Sequence, residues 1–233
     1  MTGTLIGVGL GPGDPDLMTL KAARAIGAAD VVAYPALPGT DSFARSIAVD
    51  LIRPDALEIV IEVPMTKSRE PAQAAYDLGA DRIAEALEAG RNVAVLCEGD
   101  PFFYGSFMYL HARLADRFPV EVIPGITSVS AGAARAAAPL TARNEVLTVL
   151  PGPLDSDTLA ARIADADSIV IMKVGRHLGR IRDVLAAQGL SDRAVYIERA
   201  TLAAERILPL AQAPDPAPYF SLILVTKGSD PWL

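Results

Sequence analysis

One short stretch, Cys97 to Ser106 (CEGDPFFYGS), contains two acids, two glycines, a proline and three aromatic side chains. The stretch directly follows an apolar run, Arg91 to Leu96, that is typical of a buried strand. It precedes residues with helical spacing, in which Met108, Leu110 and Leu114 fall on one side. We therefore predict a strand-to-helix crossing at the carboxyl end of a sheet, where open α/β sheets bind ligands.

Two side chains of this stretch, Asp100 and Cys97, have the chemistry for a functional role. Asp100 has the chemistry to bind a ligand hydroxyl or to favour a nearby cation, but an aspartate before Pro101 is also a common turn-forming residue. Cys97 is the one cysteine of the chain, and its place at the end of an apolar run predicts an inert, buried thiol.

A glycine-containing turn follows the first predicted strand, Gly3 to Leu10. A helix is predicted over Leu17 to Ala29, with Asp16 as its N-cap. The turn does not match the dinucleotide fingerprint, because Pro12 stands where the third glycine is required. Its glycines therefore serve either a tight turn or the close approach of the backbone to a ligand.

A second such turn, Pro124 and Gly125, follows a predicted strand at Val120 to Ile123. An alanine-rich helix is predicted from there to about Ala137. The hydroxyls of Thr127 and Ser128 stand at its start, where they either cap the helix or face a ligand together with free backbone N–H groups.

The order of predicted elements indicates an α/β fold in two domains. Strands and helices alternate over residues 1–139, which predicts a mostly parallel sheet. The pattern restarts after Pro139, and residues 140–233 end in three strands with little helix among them. This second domain is therefore expected to hold a mixed sheet with flanking helices.

The composition restricts the classes of function. The 233 residues carry a formal net charge of −7, which disfavours nucleic acid as a partner. One cysteine and two histidines are too few for a disulfide framework or for a cysteine or histidine metal site. No apolar run approaches the roughly 18 residues that span a bilayer, so we expect a soluble, cytoplasmic protein with no membrane partner.

Three motifs in order resemble the tetrapyrrole (corrin/porphyrin) methylases: GVGLGPGDPDLMTLKA, CEGDPFFYGS and VIPGITSVSA. Within that family, VPMT at residues 63–66, FFYGSFMYL, and ARNE followed by LTVLPG resemble the branch that methylates C20 of precorrin-2 in cobalamin biosynthesis. Methylation of the cobalt-containing counterpart, or at another position of a related tetrapyrrole, remains an alternative.

The resemblance implies a two-domain fold that holds S-adenosylmethionine in the cleft between the domains, and a homodimer. Carried over motif by motif, it implies cofactor-binding roles for eleven residues: Pro12, Glu98, Gly99, Asp100, Phe103, Thr127, Ser128, Met172, Ala200, Ser221 and Leu222.

Binding of the tetrapyrrole substrate requires cations that pair with its carboxylates, and methylation requires an acceptor for the proton that C20 loses. Cations in or near predicted loops are candidates for the carboxylates, although each also fits a solvated surface charge: Arg45, Lys67, Arg69, Arg143 and Arg176. Relatives that methylate uroporphyrinogen often carry an aspartate soon after the second strand, and residues 32–35 (VAYP) occupy that place here. Tyr34 is a candidate to take over the role of that aspartate, or a packed strand-end tyrosine. Asp100 and Glu145 are the other candidates to assist proton loss, with water or the macrocycle itself as the alternative.

Overall fold

The computed structural model describes residues 1–66 and 68–228 and divides the chain into two compact units, Met1–Thr127 and Ser128–Leu233. The two units are described separately below. Lys67, one of the predicted substrate cations, lies outside the described residues.

The first unit is a five-stranded parallel sheet with helices. The strands are β1 Leu5–Gly9, β2 Val31–Ala36, β3 Leu57–Glu62, β4 Val93–Cys97 and β5 Val120–Ile123. The helices are α1 Leu20–Ala28, α2 Phe43–Ala48, α3 Glu70–Glu88 and α4 Phe107–Leu114. The strand order is β3-β2-β4-β1-β5 and every described pair is parallel, so the predicted parallel sheet is confirmed.

Local sequence explains where two of these helices begin and end. The prediction that Asp16 is the N-cap of α1 is wrong, because the Thr19 hydroxyl oxygen accepts the hydrogen bond from the Ala22 N–H, at 3.1 Å. Asp16 lies instead in a short 3-10 turn before the helix. At the end of α3, Gly90 has φ +78°, the left-handed conformation in which glycine commonly ends a helix.

The second unit holds a mixed five-stranded sheet. Its elements are α5 Ser128–Arg135, β6 Leu147–Pro151, α6 Ser156–Ala164, β7 Ser168–Met172, α7 Leu178–Ala187, β8 Ala194–Glu198, β9 Arg206–Pro209 and β10 Ser221–Thr226. The strand order is β6-β7-β10-β8-β9. Only the β6–β7 pair is parallel among the described pairs, which confirms the predicted mixed sheet.

Helix α5 packs within the second unit. Val129 and Ala133 share an apolar cluster with Ile197 and Leu222. A Cβ on Gly132 would lie 3.4 Å from side-chain atoms of those last two residues, so the helix lies close against the sheet. The sequence pattern grouped this helix with the first domain, up to residue 139, because periodicity does not report which sheet covers an apolar face.

Two further properties concern the part of the chain that the structure describes. It contains no helix that combines the length and apolar character needed to cross a membrane. In the same residues, no three His, Cys, Asp or Glu side chains gather closely enough to hold a metal ion.

Candidate active site

Three loops meet at the carboxyl edge of the first sheet, because β4, β1 and β5 are neighbours in it. The loops after β1 and β4 are joined by an antiparallel bridge between Gly11 and Gly99. The Gly99 N–H donates to the Gly11 carbonyl at 2.7 Å, and the Gly11 N–H donates to the Gly99 carbonyl at 3.2 Å. The stretch from Cys97 to Ser106 is therefore at the sheet edge where it was predicted.

Glycine is required at this edge by contacts inside the chain. A Cβ on Gly9 would lie 2.5 Å from the Gly125 nitrogen, and a Cβ on Gly125 would lie 2.0 Å from the Gly99 carbonyl oxygen. Gly11 has φ +80°, which a side chain disfavours. Gly9 and Gly11 therefore serve backbone packing and a tight turn, and the approach of a ligand to this turn stays a prediction.

The Asp100 carboxylate is engaged by backbone groups of two loops. Its Oδ1 accepts hydrogen bonds from the N–H groups of Phe102, at 2.9 Å, and Phe103, at 3.1 Å. Its Oδ2 accepts one from the Gly125 N–H at 3.0 Å. The side chain therefore forms the predicted turn and, in addition, joins the loop after β4 to the loop after β5.

Glu98, beside it, carries a carboxyl group whose pKa is shifted. Burial raises the pKa of this carboxyl above its usual range, while the backbone N–H groups of Glu98 and Ala44 act in the opposite direction. Because Ala44 lies in α2, this carboxyl connects that helix to the loop after β4, residues 98–106, which we call the central loop. Cys97, one residue earlier, is 1% exposed and burial raises the pKa of its thiol to about 12, so the thiol is unreactive at neutral pH.

The remaining candidates from the three motifs lie in or next to these loops. Pro12 follows Gly11, and Phe103 is 36% exposed. Thr127 immediately precedes α5, and Ser128 is the first residue of that helix.

Tyr34 lies in a hydrogen-bonded group with two charged residues. Its hydroxyl donates to Glu58 Oε2 at 2.5 Å. Arg45 donates to both oxygens of the same carboxylate, from Nε at 2.6 Å and from Nη2 at 2.9 Å. Burial, followed by the bond to Glu58, raises the pKa of Tyr34 to about 12. The tyrosine is therefore a hydrogen-bond donor at neutral pH, and the charge of Arg45 is partly neutralised.

Three other predicted cations, all among the described residues, lie at exposed positions. Arg69 occupies the N-cap position of α3, and Arg176 lies in a short 3-10 turn before α7. Arg143 is exposed and has φ +49°. Beside Arg143, the Glu145 carboxylate accepts a hydrogen bond from the Ala142 N–H at 2.9 Å and so closes the same turn.

Four candidates of the second unit gather at one end of its sheet. Met172, the last residue of β7, pairs with Leu222 near the start of β10. Ser221, the first residue of β10, pairs with Glu198, the last residue of β8. Ala200 follows that strand and is 8% exposed. The strand pairing thus brings together residues that are far apart in the sequence.

A buried carboxylate, Glu198, lies at this end of the second sheet and was not singled out by the sequence. It is 2% exposed, and its Oε2 accepts a hydrogen bond from the Tyr196 hydroxyl at 2.7 Å. The guanidinium groups of Arg199 and Arg206 lie 3.4 Å and 3.6 Å from Oε1. Arg199 has φ +49° and directly precedes Ala200, so Glu198 supports the turn that carries a cofactor candidate.

The parallel sheet, its three-loop edge and the separate mixed sheet are those of a tetrapyrrole methylase. The family model of the tetrapyrrole (corrin/porphyrin) methylases matches residues 4–214. The chain belongs to this family, and the resemblance seen in its motifs is confirmed, as is the predicted fold class.

Two curated relatives match nearly end to end. The chain is 49% identical over 237 residues to a precorrin-2 C(20)-methyltransferase from a Sinorhizobium species, covering 98% of this chain and 97% of the relative. It is 34% identical over 231 residues to a cobalt-precorrin-2 C(20)-methyltransferase from Salmonella typhimurium, covering 97% and 98%.

A solved structure has the same fold. The uroporphyrin-III C-methyltransferase from Thermus thermophilus, complexed with S-adenosylhomocysteine, matches with a TM-score of 0.68. The two proteins are 25% identical, and the match covers 97% of this chain and 92% of that one.

Proposed function

We propose that this chain transfers a methyl group from S-adenosylmethionine to C20 of precorrin-2 in cobalamin biosynthesis. The observation that carries the proposal is 49% identity, over nearly the whole of both chains, to a relative named for that reaction. Identity to the relative named for the cobalt-containing substrate is lower, at 34%, so we favour the metal-free substrate.

The central loop fits the proposed cofactor. S-adenosylmethionine supplies an activated methyl group when bound, so the protein needs to align the reactants and exclude water rather than provide a strong nucleophile. Gly99 has φ +66° and open space where a Cβ would stand, so a ligand has room to approach the backbone there. Phe103, at 36% exposure, offers an aromatic face of the kind that attracts a sulfonium cation.

In this proposal Asp100 positions the cofactor loop rather than binding the cofactor directly. Its carboxylate already accepts three backbone hydrogen bonds. Glu98, Gly99, Phe103 and Pro12 then form the cofactor surface of the first unit.

The second unit contributes the other proposed cofactor contacts. Met172, Ala200, Ser221 and Leu222 are proposed to bind through the end of the sheet at which they gather. Thr127 and Ser128 add hydroxyl groups at the start of α5. The prediction that the cofactor lies in a cleft between two domains stays a prediction.

The loss of the C20 proton is assigned to water or the macrocycle rather than to a side chain. Burial raises the pKa of Tyr34 to about 12, and its hydroxyl donates a hydrogen bond to Glu58. Asp100 accepts hydrogen bonds from backbone N–H groups of its own loop and from that of Gly125 in the loop after β5. Glu145 accepts one from the Ala142 N–H in its own turn. These partners favour positioning roles for all three catalytic candidates.

The exposed cations Arg69, Arg143 and Arg176 are proposed to meet the substrate carboxylates, together with Lys67. Arg45 is a weaker candidate because Glu58 takes up two of its donor groups. We also propose a homodimeric enzyme of the cytoplasm. Light scattering that gives a mass twice that of one chain tests the dimer.

Binding and turnover test the proposal together. Calorimetry is expected to give a dissociation constant for S-adenosylhomocysteine on the order of micromolar, as is common for such ligands. Anaerobic assays with precorrin-2 and with its cobalt-containing counterpart should show faster methylation of the metal-free compound. Cofactor binding with no methyl transfer to either compound would reject the proposal and favour a sensor without catalysis.

A further inference from the structure

Two aromatic side chains of the central loop are displayed to solvent next to the candidate cofactor residues. Phe103 is 36% exposed and Tyr104 is 42% exposed. Their rings meet edge to face, with centroids 5.2 Å apart and an interplanar angle of 86°. Leaving so much aromatic surface in water is unfavourable, because such rings otherwise contribute much of the energy of a buried core or interface.

The third aromatic of the loop behaves differently. The Phe102 ring lies 5.2 Å from the His111 ring and 5.8 Å from the Phe107 ring, both on α4. Phe107 is completely buried. Phe102 thus anchors the loop to the helix.

The loop backbone is fixed in the conformation that displays this pair. Tyr104 has φ +57°, a left-handed conformation that is unfavourable for a residue other than glycine, asparagine or aspartate. A Cβ on Gly105 would lie 2.4 Å from the Asp100 carbonyl oxygen, so only glycine fits there. The Asp100 carboxylate holds the Phe103 N–H at 3.1 Å. Strain that the surrounding structure maintains is a recognised mark of functional loops.

We propose that Tyr104, together with Phe103, whose ring also borders the proposed cofactor site, forms a platform on which one face of the tetrapyrrole macrocycle stacks. This proposal rests on the proposed function and assigns its substrate surface. A tetrapyrrole is wide and carries its carboxylates at the rim, so its faces need apolar or aromatic contacts rather than charged ones. The platform follows Glu98, Gly99 and Asp100 within the same loop, which places the acceptor surface beside the candidate donor site.

Substitutions that the loop backbone tolerates can remove the aromatic contact without unfolding the loop. Tyr104→Asn removes the ring, and asparagine tolerates a positive φ better than other side chains. Phe103→Ser removes the second ring. Tyr109→Ala is the matched control, because Tyr109 is a 50% exposed aromatic of the same unit, on α4, outside the loop. Tyr104→Phe keeps the ring and serves as the rescue variant.

Anaerobic absorbance titration with precorrin-2 and calorimetry with S-adenosylhomocysteine are the two readouts. We expect the dissociation constant of precorrin-2 to rise about tenfold in Tyr104→Asn and in Phe103→Ser, as for a lost aromatic contact. Tyr109→Ala and Tyr104→Phe should bind precorrin-2 as the wild type does. In Tyr104→Asn the affinity for S-adenosylhomocysteine should stay within about twofold of the wild type.

Two results would overturn the platform: unchanged precorrin-2 affinity in both loop variants, or, in Tyr104→Asn, a loss confined to S-adenosylhomocysteine, which would place Tyr104 against the donor. The proposed function is tested separately, by binding and methylation assays with the wild-type protein. Wild-type protein that binds precorrin-2 but does not methylate C20 contradicts that function, while the variants still decide the platform. Wild-type protein that binds no tetrapyrrole overturns both.

Discussion

The carboxylate of Asp100 accepts a hydrogen bond from the backbone N–H of Gly125, with Oδ2 and the nitrogen 3.0 Å apart. The two residues follow different strands, β4 and β5, and the strand β1 lies between these strands in the sheet. One side chain therefore fixes the relative position of two loops that carry candidate cofactor residues.

Asp100→Asn should weaken this link without removing the turn. The amide oxygen can still accept from Phe102 and Phe103, but the amide NH₂ then faces the Gly125 N–H, which loses its acceptor. We expect the free energy of unfolding to fall by about 1–3 kcal/mol, the usual cost of an unpaired buried donor, and the affinity for S-adenosylhomocysteine to fall with it. Urea titration and calorimetry measure the two effects.

Asp155→Asn is the control for that substitution. Asp155 is the N-cap of α6, and asparagine caps helices as well as aspartate does, so stability should be unchanged within about 0.5 kcal/mol. Wild-type stability and cofactor affinity in Asp100→Asn would show that the Gly125 contact does not organise the site.

Tyr34→Phe distinguishes a positioning role from acid–base catalysis. Removal of a general base typically lowers kcat by a factor of about 10²–10⁴. We expect kcat to stay within about threefold of the wild type, because the Tyr34 hydroxyl is a donor to Glu58. Stability should fall by about 1 kcal/mol for the lost hydrogen bond. A kcat loss of a hundredfold in a folded variant would restore Tyr34 as a catalytic residue.

Stability should depend on pH in the alkaline range. Burial raises the pKa of Tyr34 and of Tyr76 from 10.0 to about 12. Between these values the unfolded chain has lost protons that the native chain keeps, so the unfolded state binds fewer protons and the free energy of unfolding falls as pH rises. The buried Cys97 thiol, raised from 9.0 to about 12, acts in the same direction.

Urea unfolding between about pH 9 and pH 12 measures this decline. Tyr34→Phe removes one of the titrating groups, so its stability should decline less steeply with pH than that of the wild type. Parallel curves for the two proteins would contradict the assignment of a raised pKa to Tyr34.

Glu198 offers a test in the second unit. Glu198→Ala leaves the completely buried Tyr196 hydroxyl without the acceptor that lies 2.7 Å away. We expect the free energy of unfolding to fall by about 1–3 kcal/mol. Glu198→Gln keeps an acceptor oxygen and should lose less. Equal losses in the two variants would mean that the charge near Arg199 and Arg206, rather than the bond to Tyr196, matters.

Much of the fold was predictable because strands and turns leave local signals. The strand Val120–Ile123 has the predicted bounds, since it is a short, mostly apolar run ended by a turn. The carboxyl edge of the sheet followed from the alternation of strands and helices, and the parallel pairing confirmed it.

The side-chain partners were not predictable in the same way. Glu58 lies in an apolar strand, LEIVIE, and only the pairing of β2 with β3 brings it near Tyr34. The bond from Gly125 to Asp100 likewise depends on a sheet order that leaves no local signal. A weaker signal for Glu198 existed, because a charged residue ended an otherwise apolar strand.

The location of the transferred methyl group tests the central claim most directly. Precorrin-2 is incubated anaerobically with the protein and S-adenosylmethionine labelled with ¹³C in its methyl group, and the product is analysed by mass spectrometry and NMR. We predict one added methyl group, bonded to C20. A methyl group at another ring position, or none at all, would contradict the proposed function.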